Sequence, residues 1–105
     1  MHDRQEIYIN GAWTTSSTGD FIDIVNPATE EAVGQIPSCG DTDVEWAVAA
    51  ARDAFEGWGS TPVAERLAFL RRIHEGMVAR SDEIAQTITA ELGMPIKLSR
   101  RIQVG

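Results

Sequence analysis

The hydrophobic period of the 105-residue chain changes near residue 40, and this change restricts the folds open to it. Before that point apolar residues come in short runs broken by turn signals, as strands with a period of two do. After it they recur at three- and four-residue spacing, as helices with one apolar face do. Ile7 to Trp13 contains Asn10-Gly11, the pair that a type I′ hairpin favours because both central residues need positive φ. Thr14 to Asp20 reads as a polar loop, Phe21 to Val25 as a strand, Asn26-Pro27-Ala28-Thr29 as a turn and Ala32 to Ile36 as a third strand.

The helical part has its own punctuation. Thr42 and Glu45 have capping-box spacing, and Asp41 and Asp43 suit the positive end of a helix dipole. Val44, Ala47, Val48, Ala51, Phe55 and Trp58 form the stripe of a first helix, which Gly57 and Gly59 are expected to end. Thr61-Pro62 opens a second helix with proline at its first position, and Val63, Leu67, Leu70, Ile73 and Met77 are its stripe. Ser81 is the expected cap of a third, which carries Ile84, Ala85, Ile88 and Leu92 and stops at Gly93. Pro95 opens a fourth helical segment that runs to Gly105.

The fold class is therefore α/β, with strands and hairpins over 1–40 and helices over 41–105. Three short strands make a poor sheet by themselves, and one-sided helices need a surface to lie against. The pattern thus predicts one piece of a larger protein. Composition supports a packed chain: 43% apolar and 24% charged residues leave enough hydrophobic surface to fold.

Charge and punctuation exclude several classes. The net charge is −7, and the densest basic clusters, Lys97 with Arg100 and Arg101 and then Arg71–Arg72, sit in helical pattern as solvated faces. A nucleic-acid footprint is not expected from them. The N-terminal residues lack the apolar core of a secretory signal, and the longest apolar run, Trp46 to Ala51, is too short for a bilayer. The single cysteine, Cys39, excludes an internal disulfide framework. Together these features predict a cytoplasmic protein with no membrane segment.

The residues by themselves point to no reaction. Cys39 precedes a helix start, but Asp41 and Asp43 crowd the same place, neither histidine is near it in sequence, and its reading is structural or incidental. His74 lies beside the apolar stripe of the second helix, and His2 is expected to be disordered. Two isolated histidines and one cysteine do not make a four-ligand zinc site. Neither a dinucleotide-binding G-x-G-x-x-G nor a phosphate-cradling G-x-x-x-x-G-K-[ST] is present.

The order of the motifs says more. Tyr8-Ile9-Asn10-Gly11-Ala12-Trp13 is followed by Asn26-Pro27-Ala28-Thr29-Glu30-Glu31, then by Asp41-x-x-Val44 leading into Ala47-Val48-Ala49-Ala50-Ala51-Arg52-x-Ala54-Phe55-x-x-Trp58. Glu65-Arg66-x-x-x-Leu70 and Thr89-x-Glu91-x-Gly93-x-Pro95 complete the series. Over residues 7–96 this series resembles the N-terminal stretch of the aldehyde dehydrogenase superfamily. Glu30 stands where that family often has glycine, and Met94 where it often has lysine, departures that bear on subfamily rather than membership.

The resemblance implies the N-terminal portion of a Rossmann-like nucleotide-binding domain. It also implies an enzyme that oxidises a small-molecule aldehyde to a carboxylic acid with NAD or NADP, as a homodimer or homotetramer. In the family a cysteine thiolate attacks the aldehyde, an oxyanion site stabilises the adduct and a glutamate activates water for the thioester. Those groups lie beyond the stretch that this chain resembles, so no catalytic or cofactor-binding residue is assigned here. One minor site is carried over. Some members bind a monovalent cation through carbonyls matching Ile24 and Val25 and a carboxylate matching Glu91, while Glu91 reads equally well as a surface carboxylate near a helix end. The alternative to the enzyme reading is a non-enzymatic, acidic helical interaction module.

Overall fold

The computed structural model describes residues 2–105, with side chains from Arg4 onward. The elements are β1 (His2–Asp3), β2 (Ile7–Ile9), β3 (Ala12–Thr14), β4 (Phe21–Val25) and β5 (Ala32–Pro37), followed by α1 (Asp41–Gly59), α2 (Val63–Ala79), α3 (Ser81–Leu92) and α4 (Ile96–Leu98). A π-helical segment, Ser99–Val104, follows α4. The elements form two compact units, one of residues up to Ile24 with Ala32–Ser60, the other of Val25–Glu31 with Thr61–Gly105.

In the first unit β2 and β3 pair antiparallel with Tyr8 opposite Trp13, and Asn10 and Gly11 both take positive φ, 54° and 77°. This is the hairpin that the Asn-Gly pair predicts. Tyr8 and Trp13 meet edge to face at 5.2 Å on its exposed side, and the Arg4 guanidinium lies 5.7 Å from the Trp13 ring centre. A three-stranded sheet has the order β1-β5-β4. His2, expected to be disordered, instead pairs through its backbone with Gly34 in parallel, and the Arg4 amide donates to the Gln35 carbonyl at 3.0 Å. Backbone pairing needs no particular side chain, so composition did not reveal it.

Helix α1 begins one residue before the expected cap. Gly40, in an extended conformation, is the boundary residue and Asp43 is the third helical residue. Thr42 therefore lies inside the first turn. The helix ends at Gly59, as its sequence predicts, with Gly57 still helical; neither glycine adopts positive φ, and the Ser60 amide donates to the Glu56 carbonyl at 3.1 Å.

In the second unit Pro62 is the extended boundary residue of α2 rather than its first helical residue. Arg80 serves α2 and α3 together: its amide donates to Gly76 and Met77, and its carbonyl accepts from Ile84 at 3.0 Å. Ser81, expected as a cap, is thus already helical. Gly93 ends α3 in the left-handed region, φ 74°, as its sequence position predicts. Beyond it the buried Ser99 hydroxyl bonds Thr89 at 2.8 Å, and Arg100 Nε donates to Asp82 at 2.8 Å, tying the π-helical segment to α3. The Arg100 and Gln86 bonds hold the Asp82 carboxyl below its ordinary range.

Very little is enclosed. Among the described residues, Ala85 is the buried apolar side chain, with Asp43 and Ser99 the buried polar ones. The α1 stripe of Val44, Val48 and Phe55 and the α2 stripe of Val63, Leu67, Leu70 and Ile73 are each more than half exposed. The accessible surface is 8142 Å². A closed monomer of this mass would expose roughly 5,800 Å².

Candidate functional site

The residues singled out by sequence lie on several elements. Cys39 is exposed, two residues before α1. His74 is exposed on α2, and the side chain of His2 lies outside the described residues. Among the described residues no three histidine, cysteine or acidic side chains come together to hold a metal ion.

The cation candidates lie on the end of a strand and the end of a helix. Ile24 and Val25 are the last two residues of β4, the first half-buried and the second exposed. Glu91 is exposed on the last turn of α3. Val25 opens the turn Asn26–Glu31 of the second unit. In that turn Asn26 Oδ1 accepts from the Ala28 amide at 2.9 Å, the Glu30 amide donates to the Asn26 carbonyl at 2.7 Å, and the Asn26 amide donates to the Glu31 carbonyl at 2.9 Å. The turn lies against the end of α3: a Cβ on Gly93 would stand 3.1 Å from Pro27 Cγ and 3.2 Å from the Ala28 nitrogen.

Glu30 holds φ at 62° in the same turn. A side chain there costs about 1–2 kcal/mol against a right-handed conformation. Glycine avoids this cost, so the glycine common at this position in resembling sequences has a physical reason.

Sequence reasoning missed the most organised polar group. Asp43 is only 2% exposed. Its Oδ1 accepts from the Ser17 amide at 2.9 Å, and its Oδ2 accepts from the Ser17 hydroxyl at 2.8 Å, the same amide at 3.1 Å and the Gly40 amide at 3.0 Å. The Gly40 amide, aided by Ser17, holds its carboxyl below the ordinary 3.8 although burial pushes the other way. Spacing identified Asp43 only as a dipole partner, because its main ligand lies 26 residues away.

Strand pairs followed by helices with one open apolar face define part of a layered α/β domain. The comparisons with known proteins give that part a family. A family model described as the aldehyde dehydrogenase family matches residues 13–105. A Staphylococcus aureus protein assigned to the same family is 42% identical over 102 residues, which cover 97% of this chain and 22% of the relative. The crystal structure of aldehyde dehydrogenase from Bartonella henselae is 36% identical with a TM-score of 0.95, over 99% of this chain and 22% of that one. A variant of aldehyde dehydrogenase C from Pseudomonas syringae, solved with NAD+ and octanal, is 44% identical with a TM-score of 0.92, over 95% and 21%. The chain belongs to the aldehyde dehydrogenase family, and its fold is the N-terminal portion of that family's Rossmann-like nucleotide-binding domain. It spans about a fifth of the length of the relatives it matches.

Proposed function

We propose that this chain works as the N-terminal part of an NAD(P)-dependent aldehyde dehydrogenase that oxidises an aldehyde to a carboxylic acid, and that it is inactive alone. The observation that carries this reading is the uncovered apolar surface on α1 and α2, in a chain matched along almost its whole length by much longer family members. Its role is scaffolding: the open stripes pack against the rest of the nucleotide-binding domain, and the catalytic and oligomerisation parts lie in the remaining sequence. The NAD+ in the Pseudomonas syringae structure supports a nicotinamide cofactor for the complete enzyme. That enzyme is a cytoplasmic homodimer or homotetramer with no nucleic-acid or membrane partner.

The test is reduced-nicotinamide formation with a series of aldehydes. The complete reading frame turns over and the pure 105-residue chain does not. Turnover by the short chain overturns the proposal, as does an inactive complete protein that binds no nicotinamide.

The carbonyls of Ile24 and Val25 and the carboxylate of Glu91 are the proposed ligands of a monovalent cation in the complete enzyme. Oxygen donors suit a hard cation, and a single carboxylate supplies the matching charge. Glu91→Gln should abolish the gain in melting temperature that potassium or sodium chloride gives over choline chloride. An equal gain in both proteins removes Glu91 from the site.

A further inference from the structure

We infer that the Asp43 carboxylate is a latch that fastens the loop between β3 and β4 to the start of α1, so that the two segments open and close as one. The inference does not rest on the dehydrogenase reading. The loop, Thr15-Ser16-Ser17-Thr18-Gly19-Asp20, carries no apolar side chain with which to anchor itself. Its order must come from polar contacts, and these converge on one place. The Ser17 amide and hydroxyl both donate to Asp43, at 2.9 and 2.8 Å. Next to them the Thr18 hydroxyl donates to the Ser38 carbonyl at 2.5 Å and accepts from the Asp20 amide at 3.1 Å.

From the other side the Gly40 amide donates to Asp43 at 3.0 Å, while the Gly40 carbonyl accepts the first helical bonds, from Asp43 at 3.1 Å and Val44 at 3.3 Å. One buried carboxylate therefore meets donors from two segments 20 or more residues apart. The approach is close: a Cβ on Gly40 would stand 3.1 Å from Thr18 Cγ2.

The physics makes this arrangement cooperative. A buried carboxylate is stable only while its oxygens are filled with donors. At the first turn of a helix it also answers amides that have no partner within the helix. If the loop leaves, Asp43 keeps one donor and remains charged in a partly dry place, so the helix start loosens as well. The opening unit is then the loop plus the first turn of α1, a local event rather than global unfolding. The loop leads directly into Phe21, the first residue of β4, where the Ser38 amide donates to the Asp20 carbonyl at 2.8 Å.

Hydrogen exchange on the complete protein, resolved by peptide, tests the latch. Asp43→Asn exchanges one acceptor oxygen for an amide group that faces donors. Exchange should accelerate about tenfold or more across residues 16–20 and, by the same factor, across residues 40–44. Ser17→Ala keeps the backbone donor and should give a smaller increase over the same two segments. Wild-type exchange in the loop of Asp43→Asn overturns the inference, and so does acceleration of the loop without the helix start. If Asp43→Asn does not fold, Ser17→Ala decides: acceleration in both segments supports the latch, and acceleration in one or neither rejects it.

Discussion

Replacing Gly93 with alanine tests the corner that joins the Asn26–Glu31 turn to the end of α3. Two costs add and one gain offsets them. Gly93 holds φ at 74°, and a side chain in that region costs about 1–2 kcal/mol. The new Cβ would also stand 3.1 Å from Pro27 Cγ, 3.2 Å from the Ala28 nitrogen and 3.3 Å from Ala28 Cβ, all inside the usual contact distance. These neighbours yield poorly, because Pro27 is a ring and the Ala28 amide is bonded to Asn26 Oδ1. Overpacking of this kind costs about 1–3 kcal/mol. Alanine restricts the unfolded chain and returns about 0.4–1 kcal/mol. The net loss is about 1–5 kcal/mol, centred near 3.

Gly11→Ala is the control, since Gly11 has φ 77° and open space around it. It carries the conformational cost alone, about 0–1.6 kcal/mol net. Urea midpoints of the complete protein, with hydrogen exchange over residues 89–98 as a local readout, compare the two. Gly93→Ala should lose more by about 1–3 kcal/mol, with faster exchange at the α3 terminus. Equal losses in the two variants would refute the contact between turn and helix.

Further outcomes follow from the same structure. Glu30→Gly removes a side chain from a left-handed position and should stabilise by up to about 1 kcal/mol after the added unfolded-state entropy, so a lower urea midpoint would contradict the strain assigned to Glu30. The folded Asp43 carboxyl titrates below its ordinary 3.8, so its contribution is present above that value and is lost as pH falls through the folded value. The stability gap between wild type and Asp43→Asn should therefore narrow as pH falls below 3.8 and through the folded value, as urea melts at falling pH would show. Leu70 is 61% exposed here, so Leu70→Ala should cost the lone chain only about 0.6–1.2 kcal/mol but the complete enzyme about 2–5 kcal/mol. Similar losses in both would mean that this stripe stays uncovered. Cys39→Ser should leave turnover of the complete enzyme near wild type, and loss of thioester formation in that variant would assign the exposed thiol a role it lacks here.

The sequence by itself determined whatever depends on near neighbours. Asn10-Gly11 specified its hairpin because both residues tolerate positive φ, and Gly93 specified the end of α3 for the same reason. The helical period placed the stripes of α1, α2 and α3, and the ordered motifs placed the chain in its family. Helix boundaries were less legible. Thr42, Pro62 and Ser81 each have the chemistry of a start, but the backbone conformations of Gly40, Pro62 and Arg80 set where the helices begin. Only tertiary structure decided contacts between residues distant in sequence. Ser17 and Asp43 carry no local sign of each other, and neither do Thr89 and Ser99, or His2 and Gly34. Tertiary structure also decided that the turn at Pro27 and Ala28 packs against Gly93, residues distant in sequence. A pattern of residues records which face of an element is apolar, whereas what meets that face depends on where the rest of the chain goes.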